Sequence, residues 1–117
     1  MTAPRTVRGG GSPRSSRKAP AFVELEGEVN IYTVTELRSR LLSALGTSWR
    51  LDVEVSGVSE LDGAGMQLLV AADKEARVAG KALRLVRPSA VVQDALALCQ
   101  ATELFSGGIE MGEGARP

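Results

Sequence analysis

The chain of 117 residues is long enough for one small domain with a single hydrophobic core. Hydrophobic residues make up 44% of it but aromatic residues only 3%, so aliphatic side chains must build that core. The formal net charge is zero and histidine is absent, which excludes Ser-His or Cys-His catalysis and histidine-bound metal. The single cysteine excludes an internal disulfide and a cysteine metal site. We expect neither a metal nor another cofactor.

Residues 1–20, MTAPRTVRGGGSPRSSRKAP, are predicted to be a disordered basic tail. The segment has too few large apolar side chains to offset the entropy lost on ordering. The alternative is a basic arm that touches an acidic partner, a membrane or nucleic acid. Five of the fourteen Lys and Arg residues lie here and no acid does, which leaves nine basic and fourteen acidic residues in the folded part. That balance argues against a nucleic-acid-binding domain.

The chain shows no membrane or export signal. No apolar run approaches the roughly 20 residues that span a bilayer. The N-terminus lacks the apolar stretch of a secretory signal. The sequence therefore predicts a cytoplasmic protein.

The segment AFVELEGEVNI, which starts at Ala21, alternates apolar and polar residues around Gly27. This pattern predicts two short paired strands joined by a tight turn. Glu24, Glu26 and Glu28 then point to one face, which we interpret as the solvent face of an edge hairpin. Binding of a divalent cation by the three carboxylates is the alternative.

TVTELRSRLLSALG predicts the first helix. Thr33 and Glu36 have the spacing of a capping box, and Gly46 supplies the stop. The apolar residues that repeat at helical intervals are Val34, Leu37, Leu41 and Leu45.

The next segments predict a strand and a second helix. RLDVEVSGVSEL places Leu51, Val53 and Val55 on one face of a strand. The helix runs from about Gly63 or Ala64 to Ala79 and closes at Gly80. Its predicted buried stripe is Met66, Leu69, Val70 and Ala76, and its predicted solvated residues are Asp73, Lys74, Glu75 and Arg77.

Three further elements complete the predicted domain, residues 21–111. KALRLVR predicts a strand, PSAVVQDALALCQ a helix capped by Ser89, and ELFSGGIEM one last short strand. The third helix is predicted to bury Val92, Ala95, Leu96 and Cys99. Residues 112–117 are predicted to be frayed. The element order indicates an α/β fold, a mixed β-sheet with helices packed mainly on one face.

The stretch SELDGAGMQLL joins a strand to a helix, the place where α/β proteins often carry chemistry. It contains no hydroxyl, thiol, imidazole or lysine between Asp62 and Met66. GAG is only half of a dinucleotide fingerprint, because Leu68 stands at the third glycine position, and no P-loop pattern follows. Nothing in the chain pairs a nucleophile with a base, which predicts a non-enzymatic protein. Asp62 is predicted to cap the helix, in competition with any weakly bound anion.

The run VSGVSELDGAGMQLLVAADKEARVAGKALRLVRPSAVVQDALALC closely resembles the STAS domain, the fold of bacterial anti-sigma-factor antagonists. LEGEVNIYTVTELRSRLL resembles the opening strands and first helix of the same family. Together the two stretches cover about residues 22–105. The resemblance implies a mixed sheet flanked by helices and a role in protein–protein switching.

The resemblance also implies a docking surface and the loss of its switch. In partner-switching members a Ser or Thr follows the Asp of the turn and is phosphorylated by a kinase that is itself the anti-sigma factor. Here Asp62 and Gly65 match, but Gly63 stands at the acceptor position, so no phosphorylation is expected there. Asn30 replaces the usual Asp, and the C-terminus is too short for the usual final helix. The implied partner-binding residues are Asn30, Ile31, Tyr32, Thr33, Asp62, Gly63, Ala64, Gly65, Met66 and Gln67.

The implied partner is a protein, either a kinase-like anti-sigma factor or an ATPase subunit. The turn is similar to those of STAS proteins of chemotaxis operons and of small STAS subunits that dock on the ATPase of lipid-transport ABC systems. The departures from the family pattern favour STAS proteins that act as constitutive modules. We expect a monomer or weak dimer.

Overall fold

The computed structural model describes residues 19–46 and 48–112. The predicted tail and the predicted frayed C-terminus lie outside these ranges, apart from residues 19, 20 and 112. The elements, in chain order, are β1 (Ala21–Val29), α1 (Val34–Leu45), β2 (Arg50–Leu61), α2 (Gly63–Val78), β3 (Ala82–Val86), α3 (Ala90–Leu98) and β4 (Ile109–Glu110).

The strands form one sheet in the order β1-β2-β3-β4, and each neighbouring pair is parallel. One helix lies between each strand and the next in the chain, as parallel neighbours require. Leu51, Val53 and Val55 of β2 are buried, as predicted, and belong to one hydrophobic cluster with residues of all three helices. None of the helices in the described part is long and apolar enough to cross a membrane.

The predicted hairpin over residues 21–31 is wrong, because both halves of the segment pair with β2 as one continuous strand. Gly27 has a φ of +73°, but this conformation produces an irregularity in the register rather than a reversal of the chain. Because no antiparallel pair forms there, the described strands make a parallel sheet instead of a mixed one. A bulge and a tight turn both favour glycine, which is why the sequence pattern did not distinguish them.

β1 is an edge strand whose three glutamates, at positions 24, 26 and 28, are exposed. Two of its backbone carbonyls accept hydrogen bonds from side chains: Arg40 donates to Glu24 O at 2.8 Å, and the Thr33 hydroxyl donates to Glu28 O at 3.0 Å. Such contacts and the outward charges protect an edge from pairing with another chain. The described residues contain no group of three acids or cysteines that could hold a metal ion.

The three helices have close to their predicted bounds and inward residues. Leu37, Leu41 and Leu45 of α1 are buried, and so are Met66, Leu69 and Ala76 of α2. Ser89 caps α3 and accepts a hydrogen bond from Val92 N at 3.3 Å. α2 also buries Leu68 and Ala72, which line a groove against α1 together with Leu41 and Leu42. The predicted buried stripe of α2 left out these two residues because α2 packs against α1 as well as against the sheet.

Asp73 was predicted to be solvated, but the residue is buried, with 5% exposed. One carboxylate oxygen accepts hydrogen bonds from the backbone N–H and the hydroxyl of Ser106, both at 2.8 Å. The other lies 2.8 Å from Nε of Arg77, which also donates to the carbonyl of Leu104. A buried charge requires such partners. Asp73 therefore fixes the turn that leads into β4.

The prediction of a buried Cys99 is also wrong, because the thiol is exposed. α3 ends at Leu98, and Gln100 then adopts a left-handed conformation with a φ of 53°. This turn breaks the helical spacing, and Ala101 occupies the buried position instead.

The face of β2 and β3 opposite the hydrophobic cluster carries paired charges. Asp52 accepts from Arg50 at 2.8 Å and from Arg84 at 3.1 Å. Glu54 pairs with Arg87, and hydrogen bonds from Arg87 and then from Ser56 lower the pKa of the Glu54 carboxyl. These charges are neutralised within the chain, so they do not mark an ion-binding site.

We predict that Asp73→Ala lowers the free energy of unfolding by about 1–3 kcal/mol, because it leaves the Ser106 N–H and hydroxyl without their acceptor. Lys74→Ala, at the exposed neighbouring position, should change it by less than about 0.5 kcal/mol. Urea unfolding of both variants measures the difference. Equal stability of the two variants would contradict the role given to Asp73.

Candidate protein-binding site

The parallel pairing of β1 with β2 brings the two predicted site segments together. Val29 and Leu61, the last residues of these strands, are partners in the register. The loop over residues 30–33 follows β1, and Asp62 and the start of α2 follow β2. Asp62 N donates to Val29 O at 3.3 Å across the junction. Residues that are 30 positions apart in the sequence therefore form one surface.

Asp62 joins the two segments through its side chain. One carboxylate oxygen accepts from Gly65 N at 2.9 Å, which confirms the predicted helix cap. The other accepts from Ile31 N at 3.3 Å, a contact that the sequence did not predict. Both oxygens are thus engaged by the chain's own backbone.

The loop over residues 30–33 is held by its own hydrogen bonds. The Asn30 side chain accepts from Tyr32 N at 2.9 Å, and the Asn30 carbonyl accepts from the N–H groups of Thr33 and Val34, both at 3.0 Å. The Thr33 hydroxyl accepts from Asn30 N at 3.0 Å. Each backbone N–H from residue 30 to residue 34 therefore has a partner. The predicted capping box is wrong, because Thr33 makes no side-chain hydrogen bond that caps α1.

Asn30 is buried, with 6% exposed, and its amide donates to Glu60 at 3.2 Å. An aspartate at position 30, which the STAS resemblance leads one to expect, would place two carboxylates at this distance. Like charges so close would repel each other. The amide at position 30 and the acid at position 60 thus form a compatible pair, which gives the departure at Asn30 a physical reason.

The two glycines of the turn differ in their surroundings. A Cβ on Gly65 would collide with Val29 O and lie 2.7 Å from a methyl group of Leu61. Gly65 is therefore needed for close approach of the backbones, and it does not have a positive φ. A Cβ on Gly63 would meet nothing within 4 Å. The fold therefore leaves room for a side chain at the position where the STAS resemblance implies a phosphorylated hydroxyl.

The ten predicted site residues divide into a supporting and an exposed set. Asn30, Gly65 and Met66 are buried, so they position the surface rather than present side chains on it. Thr33, Asp62 and Ala64 are half-buried. The exposed set is Ile31, Tyr32, Gly63 and Gln67, which has no charged side chain.

We predict that Gly65→Ala lowers the free energy of unfolding by about 1–3 kcal/mol, because the added methyl group overpacks the junction between β1 and α2. Gly63→Ala is the matched control. It should leave stability unchanged or raise it by up to about 1 kcal/mol, since its methyl group has space and restricts the unfolded chain. Thermal or urea unfolding measures both. Greater loss in Gly63→Ala than in Gly65→Ala would contradict the geometry of this turn.

Comparison with known proteins identifies the family and the fold of the chain. The model of the family described as "Mlab, STAS domain" matches residues 14–106, most of the chain. A search of curated proteins finds no match. Among solved structures, the anti-sigma factor antagonist SpoIIAA in its unphosphorylated form is similar, with a TM-score of 0.62 and 18% identity over 74% of this chain and 78% of that chain.

At 18% identity, the structural likeness to SpoIIAA shows that the two chains share a fold. The match to the family model shows in addition that the sequence has the pattern of the family. The predicted α/β fold of the STAS type is thereby confirmed. The chain belongs to the STAS domain family.

Proposed function

We propose that this chain is a non-enzymatic, cytoplasmic regulator of the anti-sigma-factor-antagonist kind, which binds a kinase-like anti-sigma factor. The proposed docking surface consists of the loop over residues 30–33 and the start of α2, residues 62–67. The observation that carries the proposal is the double contact of Asp62, which accepts from Ile31 N and from Gly65 N. It joins both segments into one preformed surface, and preformed surfaces lose little entropy when they bind.

The engagement of Asp62 also supports a non-enzymatic role. Both Asp62 oxygens accept hydrogen bonds from backbone groups of this chain, which gives the carboxylate a structural role in holding the turn. Gly63 and Ala64, which follow it, offer no nucleophile.

We further propose that the surface acts without a phosphorylation switch at the turn. A phosphate group would add about −1.5 to −2 charges to a surface whose exposed residues, Ile31, Tyr32, Gly63 and Gln67, are uncharged. Gly63 cannot accept that group. Because the space around Gly63 is open, the missing hydroxyl is a difference in chemistry and not a steric requirement.

A constitutive subunit of an ATPase assembly is the second candidate. It could belong to a lipid-transport ABC system or to a chemotaxis array. The same absence of an acceptor at Gly63 favours it, because a permanent subunit does not need to be released by phosphorylation. The two candidates share the surface and differ in the partner.

Site-specific crosslinking tests the proposal. A photo-crosslinking amino acid is placed at Gln67, exposed on the first turns of α2, in the full chain and in cells that naturally produce it. The matched control carries it at Val78, which is 83% exposed and lies about 16 Å further along the same helix. Mass spectrometry then identifies the crosslinked proteins. We expect one protein with an ATP-binding domain to crosslink at position 67 and not at position 78.

The identity of that protein separates the candidates. A kinase-like anti-sigma factor supports the leading proposal. A transporter ATPase or a chemoreceptor component supports the second candidate and overturns the first. Equal crosslinking at both positions would contradict the proposed surface, and turnover of a substrate by the purified chain would contradict the non-enzymatic role.

We predict that Gly63→Ser restores a switch if the partner is a kinase. With the purified partner and ATP, the variant should take up phosphate at position 63 and then bind about tenfold more weakly or worse, because the strongly hydrated phosphate group would have to lose water within the contact. Gly63→Ala is the control and should not be modified. Phosphate on Ser56 or Ser59 of the unmodified chain, with loss of partner binding, would contradict the unswitched version of the proposal.

A further inference from the structure

Resting on the proposed function, we infer the kind of pocket that the partner offers to this surface. Tyr32, supported by Ile31, is the anchor that enters an apolar pocket, and lysine or arginine side chains of the partner surround that pocket. The partner is thus recognised by an aromatic contact at its centre and by charge at its rim. Three observations support this inference: the exposure of Tyr32 and Ile31, the hydrogen bonds of the loop backbone, and the acidic residues beside the surface.

Tyr32 is 91% exposed, more than any other large hydrophobic residue in the described part of the chain. Ile31, beside it, is 63% exposed. A single exposed apolar residue is common and needs no explanation. Two adjacent ones at the tip of a loop, next to the uncharged start of α2, form an apolar projection. Buried tyrosine anchors of this type provide a large share of the binding energy in many protein interfaces.

The backbone N–H groups of the loop are all bonded within the chain, so we expect the loop to contact a partner through its side chains. Ile31 N donates to Asp62, Tyr32 N donates to the Asn30 side chain, and Thr33 N donates to the Asn30 carbonyl. A loop that binds phosphate or another anion needs free backbone N–H groups, which this one lacks. The same bonds fix the backbone beneath Tyr32, so little backbone freedom is lost when the ring enters a pocket.

The charge within the two segments that form the surface has one sign. The segments 28–37 and 56–73, which contain both halves of the surface, include no lysine or arginine. Three exposed acids flank the surface: Glu28, Glu36 and Glu60. Complementary charges across an interface increase the association rate and reject partners of the wrong sign. A basic rim around the partner's pocket is the complement of this arrangement.

The test uses the partner identified through the crosslink at Gln67, purified and bound to the full chain. Tyr32→Ala should weaken the complex by about tenfold or more, mainly through faster dissociation, and Tyr32→Phe should retain binding within about threefold. The controls are Val78→Ala and Leu98→Ala. These residues are 83% and 86% exposed and lie elsewhere on the chain, so the variants should change affinity by less than about twofold. Thermal unfolding checks that each variant is folded.

The basic rim inferred for the partner's pocket is tested separately by removing two acids of this chain, in the double variant Glu28→Gln and Glu36→Gln. Glu60 is left unchanged because it holds Asn30. We expect slower association and a weaker dependence of the association rate on salt, with the dissociation rate unchanged. A salt dependence equal to that of the unmodified chain would overturn the basic rim.

The outcomes distinguish this inference from the function on which it rests. Crosslinking at Gln67 together with a Tyr32→Ala affinity within twofold of the unmodified chain overturns the anchor and leaves the docking surface in place. No specific crosslink at Gln67 overturns the docking surface itself. Loss of binding in Tyr32→Ala and retention in Tyr32→Phe supports an apolar pocket, whereas loss in both shows that the hydroxyl is recognised and overturns it.

Discussion

The carboxylate of Asp62 is the contact on which the proposed surface depends. It accepts one backbone hydrogen bond from the loop after β1 and one from the first turn of α2. The geometry exists because β1 and β2 pair in parallel and end side by side, at Val29 and Leu61. It also requires Gly65, since any side chain there would collide with the backbone of β1. One acid and one glycine thus convert two separate chain segments into a single rigid corner.

The hydrogen bonds of Asp62 change the interpretation of the turn between β2 and α2. A strand that feeds a glycine-containing turn at a helix start resembles an active site or a phosphate-binding site. In this chain the acid at that place satisfies its own backbone, and the exposed neighbours are Gly63, Ile31 and Tyr32. Its chemistry therefore suits contact with another protein. The pairing of Asn30 with Glu60 points the same way, because it stabilises the loop and offers nothing reactive.

Much of the fold could be predicted because its signals are local. The alternation in β2, the helical spacing of α1 and the caps Asp62 and Ser89 all depend on residues close together in the sequence. Two of the errors came from contacts with distant residues. Asp73 looks solvated among its charged neighbours, but Ser106, 33 positions later, buries it. The segment around Gly27 looks like a hairpin because its real partner, β2, lies further along the chain.

The position of the candidate site in the chain could be predicted from the sequence. The hydrogen bonds that hold its two segments together could not. Asp62 and Gly65 could be chosen from their place in the turn and from the family resemblance, whereas the bond from Ile31 N to Asp62 spans 31 residues and has no local signature. For the same reason the division into supporting residues, such as Asn30 and Met66, and exposed ones, such as Tyr32, required the structure.

NMR mapping of the interface is the decisive experiment for the proposed docking surface. Backbone amide signals of the isotope-labelled full chain are followed as the purified partner is added. We expect the largest changes on residues 31–33 and 63–67, with α3 and β4 largely unaffected. Changes concentrated on α3, on β4 or on the charged face of the sheet, with these two segments unchanged, would contradict it.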